Sequence, residues 1–504
     1  MKLIQEFDAL FDNLRPCFRQ QRSFERARAM AFGQVTTYGR RTISRIICSK
    51  NEHQQDWSAD YKLFSRSEWS QASMFFQVIK EATSHSHWNN NAIVMAMDDT
   101  AIKKTGTKIS PVRTLRDPMS PPYHVNLMSA IRFVQASMII APEGDIEFAR
   151  AIPVHFHQAA PARKPRKNDS DDVKEQYKKD KKTTNISTMG KEAILIIRKQ
   201  VDQLPDGKKR LLFNSIDGSY CNRNYLRDLP NDVISIARTR KDIKLFRPVD
   251  KRNPNGRRRI YGDRLPTPEQ IRQDDNYPWH TAQIFGAGKY HTVRYKTVAP
   301  VLWQKGTLGM PKRLIIIAPL RYRKNKRSRL LYRNPAYLLV PYVDIPVDQL
   351  IQYYFFRWDI EVNHRDEKSL LGIGDAQVRA EKSVESQVQF AVIANSLLTL
   401  ASIRAYGAER TNDYLELPQW RNDKKRRPSM LDIVAQFRRE IIKEQLQQNR
   451  IIQNQTVSRP KRKYKKSRSR IEMRKRGFGS DREQGTTRLK VPIDILSAIL
   501  YADC

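Results

Sequence analysis

Four side chains with useful chemistry recur along one predicted helix, residues 347–371. They are a phenol, a guanidinium, a carboxylate and an ammonium, contributed by Tyr354, Arg357, Glu361 and Lys368. Because an α-helix turns about 100° per residue, these positions fall within an arc of roughly 60° on one face. A carboxylate flanked by cations on one face can bind a metal ion and phosphate groups. The plainer interpretation is a surface ion pair, since Arg357 and Glu361 have i,i+4 spacing.

Two predicted strands upstream of this helix end in aspartates. One apolar run ends at Asp98 and Asp99, and a second ends at Asp217. Carboxylates at the ends of adjacent strands can converge, and together with Glu361 they could hold two divalent cations around one phosphodiester. Asp98 and Asp99 face opposite sides of a strand, so at most one of them is expected to be a ligand. Taken singly, each aspartate could equally be a turn or cap residue.

The charge of the chain indicates a polyanionic partner. The sequence has 92 Lys+Arg against 53 Asp+Glu, a formal net charge of +39. Nucleic acid is the first candidate and an anionic membrane surface the second. No apolar stretch approaches the ~18 residues needed to cross a bilayer, so we expect no membrane partner. The four cysteines form no CxxC pair, which is typical of a reduced, cytoplasmic protein.

The order of predicted elements is helices, then strands, then alternating helix and strand, which predicts a mixed α/β fold. Basic runs at 424–427, 461–470 and 474–476 mark the last part of the chain. The predicted divisions are a helical region at 1–88, an α/β part at 89–226 with a charged loop at 162–185, a β-rich insertion at 227–345, a second α/β part at 346–410 and a basic, mainly helical region at 411–504.

The helical N-terminal region contains a candidate DNA contact. A turn at Gly39 is followed by a short basic stretch that carries Arg40, Arg41 and Arg45. In a helix-turn-helix arrangement these three side chains would face a phosphate backbone. An ordinary basic surface helix is the alternative interpretation. The excess of positive charge in the whole chain favours the DNA contact.

The spacing Tyr354-x2-Arg357-x3-Glu361-x6-Lys368 is identical to the Tyr-Arg-Glu-Lys signature of bacterial insertion-sequence transposases of the DDE class. The segment MDDT at 97–100 resembles the first-aspartate motif of that family, and IDGSYCN at 216–222 resembles the second. The long β-rich region before Glu361 is similar to that of members with a β-strand insertion domain. The resemblance covers roughly residues 90–400.

The resemblance implies an RNase H-like catalytic domain that is interrupted by the β-rich insertion. It implies that Mg²⁺, or Mn²⁺ in its place, is bound by Asp99, Asp217 and Glu361. Asp99 is preferred to Asp98 because the family's aspartate usually directly precedes a threonine. It further implies that Tyr354, Arg357 and Lys368 contact the terminal phosphates of the transposable element.

The function implied is cut-and-paste DNA transposition by a nucleoid-associated homodimer in a synaptic complex. Such an enzyme binds terminal inverted repeats, cleaves the ends through hairpins and joins the 3′-hydroxyls to target DNA. An aromatic residue of the insertion would stack on a flipped base, with Tyr337 preferred to Trp303 and Trp279. The alternatives are a structure-specific nuclease that lacks strand transfer and a catalytically inactive, transposase-derived DNA-binding protein.

Overall fold

A computed structural model of the chain describes residues 2–50, 56–88, 91–106, 108–118, 120–121, 123–249, 260–307, 309–323, 327–418 and 427–457. The basic runs predicted at 461–470 and 474–476, and the first three residues of the run at 424–427, lie outside the described residues. Residues 1–438 form one compact unit and residues 439–504 a second.

Helices and strands follow one another in the order of the expected mixed α/β fold. The helices are α1 (Lys2–Asp12), α2 (Gln21–Thr36), α3 (Ile43–Ser49), α4 (Ser58–Ser65), α5 (Gln71–Ser84), α6 (Asp171–Thr183), α7 (Ile186–Val201), α8 (Arg223–Leu226), α9 (Pro268–Gln273), α10 (Val347–Phe355), α11 (Trp358–Leu370), α12 (Glu381–Tyr406) and α13 (Met430–Val457). The strands are β1 (Ile93–Lys103), β2 (Arg113–Arg116), β3 (Leu127–Ile140), β4 (Arg150–Gln158), β5 (Leu212–Ile216), β6 (Val233–Arg238), β7 (Phe246–Pro248), β8 (Tyr261–Arg264), β9 (His280–Gly286), β10 (Lys289–Val301), β11 (Lys312–Ile317), β12 (Arg321–Tyr322), β13 (Leu331–Tyr332) and β14 (Ala336–Pro341).

One ten-stranded mixed sheet organises the chain, in the order β2-β3-β1-β5-β6-β14-β11-β10-β9, with β4 also paired to β3. β3 is antiparallel to β1 and to β4, whereas β5 is parallel to β1 and β6 is parallel to β5. The carboxyl ends of β1, β5 and β6 therefore point in the same direction. This five-strand core, β4-β3-β1-β5-β6, fits the expected RNase H-like domain.

Helices cover both faces of this core. α10 and α11 pack on one face, where their apolar side chains join a cluster with residues of β1, β5 and β6. α5 and α7 pack on the opposite face against β3 and β4. Because both faces are covered, the first five residues of β1 are all buried, as in a typical interior strand.

The β-rich stretch at 227–345, which was expected to form an inserted subdomain, shares one sheet with the five-strand core. Its strands β14, β11, β10 and β9 continue the central sheet beyond β6. The junction is the antiparallel pairing of β14 with β6, at Leu338–Arg238 and Leu339–Ala237. A second core cluster, which includes Leu314 and Ile316, lies under the extension. The sequence indicated turns between short strands, but it could not show which strands would pair with the core.

The charged loop predicted at 162–185 is wrong for most of its length, because α6 occupies 171–183. No residue of α6 is buried, which is why its sequence lacks core residues. The Ser170 side chain caps the first turn, Asp171 and Asp172 lie in that turn, and lysines lie in the last turn. These charges complement the helix dipole and stabilise a helix that has little tertiary support.

Four of the five N-terminal helices, α1, α2, α4 and α5, pack against the long helix α12, and α3 packs against α2 and α4. By length and composition alone, α12 could cross a membrane, because its apolar stretch has a mean hydropathy of 1.4. The expectation that no apolar stretch of the chain approaches this length was therefore wrong. In the structure 89% of that apolar stretch is buried inside the protein. α12 therefore uses its apolar surface as the central helix of the core.

Candidate active site

Two of the predicted aspartates meet at the carboxyl ends of neighbouring strands. β1 and β5 pair in parallel, and their last paired residues are Met97 and Ile216. Asp98 and Asp217 each follow directly after that pair. On one face of the sheet Val94 and Phe213 are partners, and both belong to the cluster under α10 and α11. Because side chains alternate along a strand, Asp98 and Asp217 face the same helices.

Asp98, rather than Asp99, therefore lies on the side of the sheet that carries Glu361. Asp99 points to the opposite face, where its nearest cation is Arg132, with Nε 3.8 Å from Oδ2. Arg132 of β3 pairs with Ala101 of β1. Ala101 is two residues after Asp99, so Asp99, Ala101 and Arg132 lie on the same face of the sheet. The preference for Asp99, which came from its position before a threonine, does not agree with this geometry.

The helix predicted at 347–371 is interrupted between α10 and α11. Its residues 356 and 357 form a tight turn, in which the N–H of Arg357 donates to the carbonyl of Tyr354 at 3.1 Å. The arc of roughly 60° that was calculated for one continuous helix therefore does not apply across the whole span from Tyr354 to Lys368. Arg357 still lies next to Tyr354 and Glu361, because the turn keeps near-helical dihedral angles at Arg357.

Arg357 joins two of the carboxylates. Its Nη1 donates to Asp98 Oδ2 at 2.9 Å and its Nη2 donates to Glu361 Oε1 at 2.8 Å. The Arg357 side chain is 13% exposed and that of Asp98 is 19% exposed, so the pair is shielded from solvent. Burial raises the pKa of Asp98 to about 7, while the charge of Arg357 lowers it and the charges of Asp99 and Asp217 raise it. The charges of the neighbouring aspartates thus oppose ionisation of Asp98.

Two arginines and a tyrosine complete this edge of the sheet, and the sequence reasoning did not single them out. Arg238 lies 3.9 Å from Asp217, between Nη1 and Oδ1. Arg238 is the last residue of β6, which pairs in parallel with β5. In the sequence, the only feature that could have identified it is a basic residue at the end of the strand that follows Asp217. Arg132 accompanies Asp99, and Tyr220 is buried close enough for the charges of Asp99 and Asp98 to raise its pKa further after burial.

The two remaining signature residues have different environments. Tyr354 packs against the apolar cluster under α10 and α11, and burial raises the pKa of its phenol. Arg357 counteracts that increase by its charge and by a side-chain hydrogen bond to Tyr354. Lys368 lies farther along α11, where burial and the neighbouring charge of Lys103 lower its pKa. Tyr354 therefore lies beside Arg357 and the carboxylates, whereas the charged neighbours of Lys368 are Glu367 and Lys103.

Among the described residues, no three His, Cys, Asp or Glu side chains lie close enough together to hold a metal ion in their present positions. Asp98 and Glu361 are instead joined through the guanidinium of Arg357, which donates to both. The donor chemistry nevertheless fits Mg²⁺ or Mn²⁺, which prefer oxygen ligands. Asp98, Asp217 and Glu361 supply carboxylate oxygens of that kind.

A buried polar network lies behind the candidate site, and the sequence reasoning missed it as well. Gln135 is the partner of Asp98 on β3 and donates to Glu367 Oε1 at 3.1 Å. Asn395 of α12 donates to the same oxygen at 3.4 Å. Burial raises the pKa of Glu367 to about 8, although both amide hydrogen bonds lower it. This network joins α11 to β3 and α12, and so fixes the helix that carries Glu361.

The three aromatic candidates of the insertion occupy different places. Tyr337, the preferred one, is 5% exposed in the sheet, and its hydroxyl donates to Glu269. The ring of Trp279 is covered by Arg294, whose guanidinium carbon is 4.8 Å from the ring centroid. Trp303 is only partly buried and lines a cavity of about 310 Å³ together with Gly218, the residue that follows Asp217. Trp303 and Gly218 thus border one cavity, whereas the preferred candidate, Tyr337, is buried in the sheet.

The three arginines predicted to face DNA near Gly39 are not all exposed. Gly39 makes the expected turn with φ +68°, and Thr42 caps α3. Arg40 and Arg45 are exposed. Arg41 instead points inward, is 6% exposed, and donates from Nη1 to the Gly39 carbonyl at 2.9 Å. Burial lowers the pKa of Arg41 to about 10, so this side chain does not face a phosphate backbone.

Comparison with known families adds an independent observation. Residues 13–310, more than half of the chain, match the family described as DDE superfamily endonuclease. The match includes Asp98, Asp99 and Asp217 and ends before Glu361. No curated protein matches the chain. Enzymes of this superfamily cleave nucleic acid, generally with divalent metal ions, and the implied substrate is DNA. The chain belongs to the DDE superfamily endonucleases.

Proposed function

We propose that this chain is a DDE transposase that cleaves the ends of its own insertion sequence and joins them to target DNA. The observation that carries this proposal is the bridging of Asp98 and Glu361 by Arg357 at the end of β1, beside the strand end that carries Asp217. The net charge of +39 supports DNA as the partner. The identity of Arg357 and Tyr354 beside Glu361 supports the Tyr-Arg-Glu-Lys group.

Asp98, Asp217 and Glu361 would hold Mg²⁺ or Mn²⁺ in this proposal, with Asp98 replacing Asp99 as the first ligand. Two such cations supply charge stabilisation for the attacking and the leaving oxygen of a phosphodiester. Asp99 pairs with Arg132 on the other face of the sheet. There it supports the strand end without contacting the reacting phosphate.

The cations of the site bind the substrate. Arg357 and Lys368 neutralise the phosphates next to the reacting one, and Arg357 can do so through two parallel hydrogen bonds. Tyr354 orients Arg357 through the side-chain contact between them. In cleavage, a water oxygen attacks the phosphorus and the phosphorus–O3′ bond breaks, which leaves a 3′-hydroxyl. In joining, that 3′-hydroxyl attacks a target phosphodiester and displaces its 3′-oxygen.

Trp303 is the residue that we propose for the hairpin intermediate. The hairpin forms when the freed 3′-hydroxyl attacks the phosphodiester of the opposite strand and displaces its 3′-oxygen, and a second hydrolysis by water opens it. The cavity beside it is bordered by Arg240, Lys244 and Lys305, so it combines an aromatic face with cations. A base that has left the duplex can stack on such a face while its phosphate contacts the cations. Because Gly218 borders the same cavity, the stacked base would lie next to Asp217.

Binding of terminal inverted repeats by a synaptic homodimer belongs to the same proposal. Arg40 and Arg45 are the exposed cations of the N-terminal region that support it. Two ends held by two copies allow both ends to be cut and joined together. The basic C-terminal residues would add affinity for DNA without adding sequence preference.

The proposal is tested by end cleavage of a DNA fragment that carries the sequence flanking the gene. Asp217→Ala and Glu361→Ala should each abolish cleavage in Mg²⁺ and in Mn²⁺. Near-normal cleavage by either variant would show that the assigned carboxylates are wrong. Incubation of pre-cleaved ends with a supercoiled plasmid separates the two enzyme functions. A transposase yields joined products, whereas a nuclease without strand transfer yields none.

A further inference from the structure

Arg357 engages the oxygens through which Asp98 and Glu361 would bind a cation. Asp98 Oδ2 accepts from Arg357 Nη1 at 2.9 Å, and Asp98 Oδ1 accepts from the backbone N–H of Asp99 at 2.8 Å. Both oxygens of Asp98 are therefore in use. Arg357 Nη2 holds Glu361 Oε1 at 2.8 Å. One guanidinium thus bridges a strand carboxylate and a helix carboxylate.

The contacts of Arg357 with Asp98 and Glu361 lie in a shielded place, where electrostatic interactions are strong. The Arg357 side chain is 13% exposed and the Asp98 side chain 19%, so solvent screens their interaction only weakly. Removal of one partner from a shielded pair leaves the other charge uncompensated, which is costly. In this state of the protein Arg357 is therefore the counter-ion that allows Asp98 and Glu361 to lie close together.

A divalent cation between the same carboxylates is incompatible with this position of Arg357. Mg²⁺ requires oxygen atoms at about 2.0–2.1 Å in near-octahedral geometry. A guanidinium bound to those oxygens would lie within a few ångströms of the doubly charged ion, where like charges repel strongly at low dielectric. The cation can bind only when the guanidinium leaves.

We propose that Arg357 is a displaceable counter-ion, which a divalent cation replaces between Asp98 and Glu361 and which then binds a DNA phosphate. This inference rests on the proposed function, because it takes those two carboxylates as metal ligands. A phosphate offers the guanidinium the same two-pronged hydrogen bonding that the carboxylates provide. Cation and DNA should therefore bind cooperatively, each raising the affinity for the other by the same factor.

The test is a titration of the full chain with Mn²⁺, in which electron paramagnetic resonance reports the free ion. Arg357→Gln removes the competing charge and should tighten Mn²⁺ binding by about tenfold or more. Arg357→Lys keeps one charge but cannot bridge both carboxylates, and it should give a smaller increase. It serves as the second variant if Arg357→Gln fails to fold, which circular dichroism will show.

Arg404→Gln is the matched control, because Arg404 also contacts two carboxylates, Glu81 and Glu6, far along the chain from the site. It should leave the Mn²⁺ affinity unchanged. An equal or weaker affinity in both Arg357 variants overturns the counter-ion role. An increase of the same size in Arg404→Gln would show a general charge effect and would also overturn it.

A second titration adds a short DNA duplex to the wild-type chain and to Arg357→Gln. The duplex should tighten Mn²⁺ binding in the wild type, and this effect should shrink in the variant. Equal effects in the two proteins would refute the coupling. Asp98→Asn and Glu361→Gln separate this inference from the proposed function. If both variants bind Mn²⁺ as the wild type does, the metal site itself is wrong. If both lose Mn²⁺ while Arg357→Gln gains none, only the counter-ion role fails.

Discussion

Asp98 and Asp99 are neighbours on one strand, yet their carboxylates pair with arginines on opposite faces of the sheet. Asp98 accepts from Arg357 at 2.9 Å, and Asp99 lies 3.8 Å from Arg132. Only the first of these arginines also binds Glu361. The two aspartates therefore have separate environments, and substitutions can distinguish their roles.

We expect Asp98→Asn to reduce DNA end cleavage by about a thousandfold or more, as for the loss of a group that acts at the reacting phosphate. Asp99→Asn should reduce it by roughly tenfold or less, because in the proposed function Asp99 pairs with Arg132 and does not bind the cation. Cleavage rates in Mg²⁺ under single-turnover conditions measure both effects. The reverse order of severity would assign the metal to Asp99.

Trp303→Ala should slow the processing of DNA ends while leaving the chain folded, because the ring is partly exposed in its cavity. Tyr337→Ala should instead lower the free energy of unfolding by roughly 3–5 kcal/mol, since a large buried ring is removed from the sheet. Gly306→Ala tests the position of the Trp303 ring without removing the ring, because a Cβ at residue 306 would collide with it. Thermal unfolding and hairpin formation on a labelled end should separate these variants. A larger loss of stability in Trp303→Ala than in Tyr337→Ala would contradict this assignment.

Arg41→Ala should lower the free energy of unfolding by about 1–3 kcal/mol, because the carbonyls of Gly39 and Gln34 lose a buried donor. Arg40→Ala and Arg45→Ala should leave stability nearly unchanged and weaken DNA binding. Each should reduce the slope of log affinity against log salt by about one. Binding measured over a salt series, with chemical denaturation in parallel, checks all three. A salt slope that changes only in Arg41→Ala would reverse the assignment.

Glu367 predicts a specific dependence of stability on pH. Its pKa is about 8 in the folded chain against an ordinary 4.5, so the folded state favours the protonated carboxyl. The stability from this group is complete below pH 4.5 and is lost as pH rises through 8. Glu367→Gln cannot ionise, so its melting temperature should gain on that of the wild type across this interval. A difference that stays constant with pH would show that Glu367 does not titrate in this way.

The strand ends and the helix of the candidate site could be predicted from the sequence, because apolar runs ending in Asp98 and Asp217 are local patterns. The choice between Asp98 and Asp99 could not, for a physical reason. Helices cover both faces of β1, so its side chains are buried in an unbroken run and no polar alternation marks the face towards α11. The threonine after Asp99 then decided the preference, and the register of β1 with β5 points the other way.

Long-range pairing explains the other differences. Arg41 and Arg45 are equally basic in the sequence, but only Arg41 packs near Asp375, whose carboxylate accepts from its backbone N–H at 2.9 Å. Tyr337 lies in an apolar run that could be a surface or an interior strand until β14 pairs with β6. The break between α10 and α11 has no proline or glycine to announce it. These features depend on partners more than 90 residues away or on packing.

The order of the strands has a consequence for synthesis of the chain. The chain leaves the ribosome N-terminus first, so its N-terminal elements are free to pair before later ones are made. β1, β5 and β6 can pair once residue 238 has emerged, which brings Asp98 and Asp217 together. Glu361 and Arg357 emerge more than a hundred residues later, after β14. A nascent chain of that length therefore contains both aspartates but lacks the helix that carries Glu361. Under the proposed function, its catalytic site is complete only after α11 has been translated.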